Sequence, residues 1–156
     1  MSVVWKTALA VFALDFLTKT SALHVLHPFS PRTVIPGFFN LSLVFNRGAA
    51  FGIFPGAAVL FMTLAAATIA VILFFAWYSS DASLLLKIAL GMIAGGATGN
   101  LLDRLRFGHV VDFLDFYVGP WHWPAFNIAD SSLCIGASLV LIKALTKPAR
   151  HASDPL

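Results

Sequence analysis

The sequence predicts an all-α polytopic membrane protein with four transmembrane helices and a small extracytoplasmic β-element. Of its 156 residues, 59% are hydrophobic and only 11% are charged, whereas soluble domains carry roughly 25% charged residues. Four stretches also approach the roughly 20 apolar residues that a helix needs to cross a bilayer. Such a composition excludes a soluble monomer, and it excludes a disordered chain, which needs low hydrophobicity and high net charge.

The four predicted spans cover about residues 3–26, 57–78, 84–102 and 126–145. We expect residues 1–156 to form one membrane-embedded domain. The first span is interrupted by Asp15 and Lys19, which argues against a cleaved signal peptide. Because these residues are four apart, they share a helix face and can neutralise each other. They are predicted to be structural or to orient a neighbouring site.

Two elaborate segments, residues 27–55 and 103–124, lie on the same side of the predicted membrane domain. Within the first, Phe38 to Asn46 has a strand-like composition with partial alternation. The connection on the opposite side, at 79–83, is short. The basic residues from Lys143 to Arg150 favour a cytoplasmic location for both termini. We therefore expect the functional site near the outer face of the membrane.

The third span carries glycines at every fourth position, namely Gly91, Gly95 and Gly99. This spacing of small residues lets helix backbones approach closely, so packing alone accounts for it. The same span then reaches Asn100, Asp103 and Arg104. These residues either cap the helix at the interface or supply hydrogen bonds to a polar site at that depth.

Two carboxylates are candidates for catalysis, because each lies in an apolar run at the end of a span. Asp112 follows the third span and Asp130 opens the fourth, so both can reach one depth near the outer interface. Carboxylates that share a site titrate apart, and one can then act as an acid while the other acts as a base. Helix capping is the alternative for Asp130. Asp115 would share a face with Asp112 if that segment were helical.

Other chemistries have less support in the sequence. The chain has no glutamate and one cysteine, Cys134, and its histidines are scattered, so no metal site or cofactor is expected. Ser131 and Ser132 lack an identifiable base, and His122 lacks an acid to orient it. The net charge of +3 suits lipid headgroups better than nucleic acid. A small four-span ion- or proton-coupled transporter remains the alternative, although its carboxylates belong near the bilayer midplane.

Five motifs resemble, in order, those of the bacterial lipoprotein signal peptidases (signal peptidase II), a family of aspartic peptidases in the cytoplasmic membrane. Together they extend from the first span to the last. The motifs are Asp15–Lys19, Asn46–Phe51, Gly95–Arg104, Val110–Phe113 and Phe126–Asp130.

The resemblance implies that Asp112 and Asp130 are the catalytic pair. It also implies a group of residues that line the site or support the catalytic pair, and it implies that Asp15 and Lys19 are supporting residues. This group comprises Asn46, Gly48, Asn100, Arg104 and Asn127. The implied substrate is a prolipoprotein whose cysteine carries a diacylglyceryl group, cleaved just before that cysteine. The implied partners are membrane lipids and the inhibitor globomycin, and the protein is expected to act as a monomer.

Overall fold

A computed structural model describes residues 2–48, 58–78 and 83–146 of the chain. This part forms four helices and one small antiparallel sheet. In chain order the elements are α1 (Ser2–Val25), β1 (Arg32–Ile35), β2 (Phe39–Asn46), α2 (Ala58–Tyr78), α3 (Leu84–Phe107), β3 (Val110–Val118), β4 (Trp121–His122) and α4 (Ile128–Leu145). All four helices are long and apolar enough to cross a membrane, so the predicted fold class is confirmed.

The third helix is longer than the sequence analysis predicted. It continues from about residue 102 to Phe107, which puts Asp103 and Arg104 inside the helix and not in the following segment. Arg104 and Arg106 lie in the last turn, where positive charge is favourable. Gly108 then ends the helix in the left-handed conformation, at φ 72°, and donates its N–H to the carbonyl of Arg104.

Helix α3 occupies the centre of the bundle, because its glycines allow the neighbouring backbones to come close. A Cβ atom at Gly95 would lie 2.5 Å from the carbonyl oxygen of Ala8 in α1. A Cβ atom at Gly96 would lie 2.6 Å from the carbonyl oxygen of Ala129 in α4. The predicted packing role of the small residues is thus confirmed, and both α1 and α4 are held against α3.

The sheet has the strand order β1-β2-β3-β4, with every neighbouring pair antiparallel. The predicted strand ending at Asn46 is confirmed as β2. Strand β3 was not predicted, because its first four residues are all buried and show no alternation. The helical relationship considered for Asp112 and Asp115 is therefore wrong. In the sheet, Asp112 pairs with Val44 and Asp115 pairs with Asn40.

Two apolar clusters fix the sheet and the helices relative to each other. The first joins the end of α1 to the sheet and comprises Ala22, Leu26, Leu43, Val111 and Phe113. The second lies among the helices α1, α2 and α3 and comprises Val4, Ile72, Ala76 and Ala94. Because Val111 and Phe113 are both buried in the first cluster, the backbone of the intervening Asp112 is held in place.

The outer faces of the helices remain apolar and exposed. On α2, for example, Leu64, Phe74 and Trp77 are 53%, 67% and 82% exposed. A soluble protein rarely leaves so continuous an apolar surface in water. These faces fit contact with lipid, as a multi-pass membrane protein requires.

Candidate active site

Asp112 lies in the middle of the buried half of β3, with 1% of its surface exposed. One carboxylate oxygen accepts a hydrogen bond of 3.0 Å from the side-chain amide of Asn46 at the end of β2. The other accepts one of 2.7 Å from the side-chain amide of Asn127. The hydrogen-bond partners of this carboxyl group are thus two neutral amides from two different elements.

Asp130 reaches the same place from α4. Asn127 is the N-cap of this helix, and its side-chain oxygen accepts the backbone N–H of Asp130 at 2.9 Å. The Asp130 carboxylate accepts a hydrogen bond of 2.7 Å from the side-chain amide of Asn100 on α3. Asn127 therefore contacts both candidate catalytic residues, one through its amide nitrogen and the other through its oxygen.

Three asparagines present their NH₂ groups to the two carboxylates, and each is oriented by a donor on its other side. The oxygen of Asn46 accepts the backbone N–H of Gly48 at 3.0 Å. The oxygen of Asn100 accepts Lys19 Nζ at 2.9 Å, and that of Asn127 accepts the Asp130 N–H. Because an ammonium or a backbone N–H can only donate, the amide oxygen must face it. The NH₂ group then has to face the carboxylate.

The electrostatic environment keeps Asp112 partly protonated near neutral pH. Burial, together with the negative charge of Asp130, raises the pKa of Asp112 from its ordinary value of 3.8 to about 7. The hydrogen bonds from Asn46 and Asn127 and the charge of Lys19 oppose this increase in pKa. A carboxyl group whose pKa responds to a second carboxylate is one that shares a site with it.

Behind the site lies a buried group of three charges. Lys19 Nζ is 2.8 Å from Asp15 Oδ2 and 3.0 Å from Asp103 Oδ2, and the three residues are between 0% and 5% exposed. The predicted pairing of Asp15 with Lys19 is confirmed. Asp103 was predicted either to cap the helix or to supply a hydrogen bond to a polar site, and it accepts the backbone N–H of Val111 at 3.1 Å. Its ion pair with Lys19 was not predicted. The sequence signal for a role of Asp103 was its position within the Gly95–Arg104 motif.

The same charge group also holds the start of α4. Asp15 accepts the backbone N–H of Ala129 through its Oδ1 atom at 2.9 Å. A Cβ atom at Gly99 would collide with the Asp15 carboxylate, so this glycine makes room for the acid. The ion group thereby connects α1 to the helix that carries Asp130 and, through Asp103, to the strand that carries Asp112.

Arg104 and Gly48 form one edge of the site. The Arg104 guanidinium lies 3.3 Å from the carbonyl oxygen of Gly48 and 5.2 Å from the ring centre of Phe61 on α2. Gly48 and Arg104 line the same cavity as Asp130. Gly48 belongs to the predicted Asn46–Phe51 motif, of which residues 49–51 lie outside the described part of the chain.

Two cavities meet at the carboxylate pair. One, of about 450 Å³, contains Asp130 and continues along α4 past Leu133 and Cys134. The other, of about 530 Å³, contains Asp112 and lies against the sheet. Five residues line both cavities: Asn46, Gly48, Trp123, Pro124 and Ala125. A molecule that occupies both cavities therefore passes the two carboxylates.

No acid that could orient His122 was predicted from the sequence, but the structure contains one. His122 Nδ1 lies 2.7 Å from Asp115 Oδ1, and Ser42 Oγ donates to Asp115 Oδ2 at 2.9 Å. The carboxylate stands between the serine and the histidine, which is not the order that a serine nucleophile needs. Ser131 donates its hydroxyl to the carbonyl oxygen of Asn127 at 2.9 Å, so it is already engaged within its helix.

Comparison with known proteins decides the family. Residues 7–146 match the profile of the family described as Signal peptidase (SPase) II. A lipoprotein signal peptidase of Oleidesulfovibrio alaskensis is 45% identical over 144 residues, covering 90% of this chain and 92% of that protein. This chain belongs to the signal peptidase II family. Another relative, the lipoprotein signal peptidase of Halothermothrix orenii, is 41% identical and covers 89% of this chain and 92% of its own length.

Two solved structures share the fold of this signal peptidase II family member. A bacterial membrane enzyme solved by the in meso method at 2.3 Å resolution superposes with a TM-score of 0.86 at 30% identity, covering 100% of this chain and 95% of that one. A second, at 1.9 Å resolution, gives a TM-score of 0.82 at 34% identity, with 96% of both chains covered. The chain is thus a multi-pass membrane peptidase, and the transporter alternative is not supported.

Proposed function

We propose that this chain removes the signal peptide from diacylglyceryl-modified prolipoproteins by an aspartic mechanism, with Asp112 and Asp130 as the catalytic pair. The main support for the proposal is that both carboxyl groups, Asp112 buried and Asp130 partly buried, accept hydrogen bonds from neutral amides fixed in orientation. A carboxyl group held in this way is positioned while remaining free to gain or lose a proton, which general acid–base chemistry requires.

The reaction needs one ionised and one protonated carboxyl group. The ionised group takes a proton from water, whose oxygen attacks the carbonyl carbon of the residue before the lipidated cysteine. The protonated group donates its proton to the carbonyl oxygen, and a gem-diol forms. When the gem-diol collapses, the C–N bond breaks, the cysteine nitrogen takes a proton from one carboxyl group, and a gem-diol hydroxyl returns its proton to the other. The products are a signal peptide with a free carboxylate and a cysteine with a free amine.

Carboxyl groups that share a site influence each other's titration, and the negative charge of Asp130 favours the proton on Asp112. The pKa of Asp112, about 7, keeps an acidic proton available at neutral pH. The supporting roles proposed for the other site residues follow from their contacts. Asn46, Asn100 and Asn127 hold the carboxyl groups, Gly48 and Arg104 form the edge of the site, and Asp15 and Lys19 fix its base.

The substrate determines where the chemistry takes place. The diacylglyceryl group keeps the cysteine at the membrane surface, and water must reach the bond before it. We place the site at the outer face of the bacterial cytoplasmic membrane, with both termini in the cytoplasm. Reporter fusions test this topology: one after Leu156 and one within 79–83 should report a cytoplasmic location, and one within 27–36 should report the outside. A C-terminal reporter outside the cell would reverse the topology.

The decisive assay is processing of a purified diacylated prolipoprotein in detergent, followed as a shift on a gel. Asp112→Asn and Asp130→Asn should each lower the rate by at least about 100-fold, since general acid–base catalysis contributes roughly 10²–10⁴ in rate. Ser138→Ala, on the exposed face of α4, is the matched control and should cleave normally. Asp115→Asn should be milder than either. Retention of more than about a tenth of the activity by Asp112→Asn or Asp130→Asn would contradict the assignment of these residues as the catalytic pair.

The same assay tests the absence of a metal and the proposed inhibitor. EDTA should leave the rate unchanged and serine-directed phosphonates should be inert, whereas globomycin should inhibit. Loss of activity in EDTA with recovery in zinc would mean that the aspartates are metal ligands, and the aspartic mechanism would then be wrong.

A further inference from the structure

The proposed mechanism leaves one polar cluster unused, which comprises Ser42, Asp115 and His122. Asp115 is 7% exposed, and both of its oxygens are engaged, by His122 Nδ1 at 2.7 Å and Ser42 Oγ at 2.9 Å. The His122 side chain is 51% exposed. Its ring stacks on Tyr117, with ring centres 5.0 Å apart and planes 11° apart. A buried acid therefore holds a half-exposed imidazole in a fixed orientation.

The contact with Asp115 determines which atom of the imidazole is free to bind something else. A carboxylate accepts, so His122 Nδ1 carries a hydrogen and Nε2 is the remaining polar atom. In the neutral ring Nε2 accepts an N–H, and in the charged ring it donates to a carbonyl oxygen. A peptide main chain supplies both groups, so either form of His122 can pair with it.

The cluster lies beside the candidate catalytic pair and on one side of it only. Asp115 and His122 line the same cavity as Asp112, against the sheet. The cavity that contains Asp130 instead continues along the membrane-spanning helix α4, past Leu133 and Cys134. The two sides of the pair thus differ in position: one lies against the sheet, outside the spans, with Asp115 and His122 in its lining, and the other lies beside a span.

A third cavity extends the side of His122 further. It has a volume of about 540 Å³ and shares Ser42, Val44 and Phe45 with the cavity that contains His122. Its other lining residues, Pro28 to Pro31 and Leu43, belong to the segment before β1 and to β2. An extended chain can therefore leave Asp112, pass His122 and follow β2 towards the segment before β1.

We propose that His122, oriented by Asp115, binds the main chain of the substrate polypeptide that follows the lipidated cysteine. This inference rests on the proposed function. A signal peptide is apolar and stays with the bilayer, so it matches the side of Leu133 and Cys134. The mature polypeptide is the part that must leave the membrane, and it matches the side of His122, which lies outside the spans. His122 is thus a substrate-binding residue and Asp115 is its positioning residue.

Two variants of His122 separate substrate binding from a structural role. His122→Asn keeps a donor near the position of Nδ1, where it can bond Asp115, but has no group at Nε2. His122→Gln places its amide near the position of Nε2. We expect His122→Asn and His122→Ala to raise KM about 10-fold with kcat within twofold, because a contact made equally in ground and transition states affects KM alone. His122→Gln should stay within about threefold of the unchanged protein.

A shortened substrate is the matched control. With a diacylated peptide that ends one residue after the cysteine, His122→Asn and the unchanged protein should give the same KM. If His122→Asn behaves normally on the long substrate, or if its defect persists on the short one, the inference is wrong. A fall in kcat with unchanged KM would also overturn it.

Binding without turnover separates this inference from the catalytic assignment. In an Asp112→Asn background, adding His122→Asn should weaken binding of the uncleaved long substrate about 10-fold. Equal binding by the two proteins would contradict the inference. If Asp112→Asn still cleaves, the catalytic assignment fails, and the KM comparison in the otherwise unchanged protein then decides the role of His122 by itself.

Discussion

Two groups of carboxylates that are buried or partly buried lie next to each other in this molecule, and their hydrogen-bonding partners differ in charge. Asp15 and Asp103 share one ammonium group, Lys19, at 2.8 and 3.0 Å. The side chains that hydrogen-bond to Asp112 and Asp130 are asparagine amides. The first group has its charge compensated by direct contact. The second has hydrogen bonds that fix its geometry without a paired cation.

The difference separates a structural group from a chemical one. A direct ion pair holds both partners in their charged forms, because loss of either charge leaves the other buried without compensation. At Asp112, burial and the charge of Asp130 outweigh the two amide hydrogen bonds, so the pKa of this carboxyl group rises to about 7. A carboxyl group that is to exchange protons during a reaction therefore belongs in the second environment.

The largest effect on stability should come from breaking the ion-paired group. Lys19→Met leaves Asp15 and Asp103 buried without a cation, and removal of one partner of a buried pair costs about 3–5 kcal/mol. Thermal unfolding in detergent should show this loss. Adding Asp15→Asn and Asp103→Asn to Lys19→Met should recover part of the stability. If Lys19→Met unfolds at the normal temperature, the group is not structural and the comparison fails.

A smaller effect, on activity and not on folding, should come from the amide group. Asn127→Ser keeps an oxygen that can cap α4 but removes the NH₂ that donates to Asp112. A hydrogen bond to a charged group contributes about 1.5–3 kcal/mol, so kcat should fall roughly 10- to 150-fold while the unfolding temperature changes little. Asn127→Ala, which loses the cap as well, should in addition lose about 1 kcal/mol of stability. Normal kcat in the serine variant would show that the amide does not support catalysis.

The smallest expected effect is a pH dependence of stability that belongs to Asp112. Its pKa in the folded protein, about 7, is higher than the ordinary value of 3.8, so the folded state binds more protons than the unfolded state between these pH values. The contribution of Asp112 to stability should therefore be greatest near pH 4 and should fall as the pH rises towards 7. Asp112→Asn removes this pH-dependent contribution, because asparagine does not titrate. Relative to the unchanged protein, the variant should gain on the order of 1–2 kcal/mol between pH 5 and pH 6.5.

Thermal unfolding of both proteins at the two pH values measures that gain. A gain of stability in the unchanged protein relative to the variant as the pH rises would mean that the pKa of Asp112 is lowered, and the proposed proton exchange would lose its basis. Ser138→Ala should follow the unchanged protein at both pH values, because it touches no titratable group of the site.

The amount that could be predicted from the sequence differs between the helices and the sheet. The bounds of α1 and α2 match the predicted spans closely, since hydropathy is a property of consecutive residues. The end of α3 was placed five residues too early, because Asp103 and Arg104 were taken as the start of a loop. Asp103 is tolerated in the helix because Lys19, 84 positions away, neutralises it.

The sheet was only half predicted. The strand β2 was identified from its alternation, whereas β3 shows none, since both of its faces are covered at Val110 to Phe113. The side of the sheet on which a carboxylate lies depends on strand register, which a single sequence does not reveal. For the same reason Asp115 could be weighed against Asp112 but could not be connected to His122.

By itself, the sequence determined that the chain spans a membrane four times and that two aspartates stand where spans meet the interface. These properties follow from local composition, which the bilayer imposes on any spanning segment. The tertiary structure alone decided which polar groups meet. The orientation of the three asparagines, the second carboxylate on Lys19 and the acid behind His122 depend on contacts between distant segments. Such contacts are set by helix packing and strand register, to which no single stretch of sequence gives access.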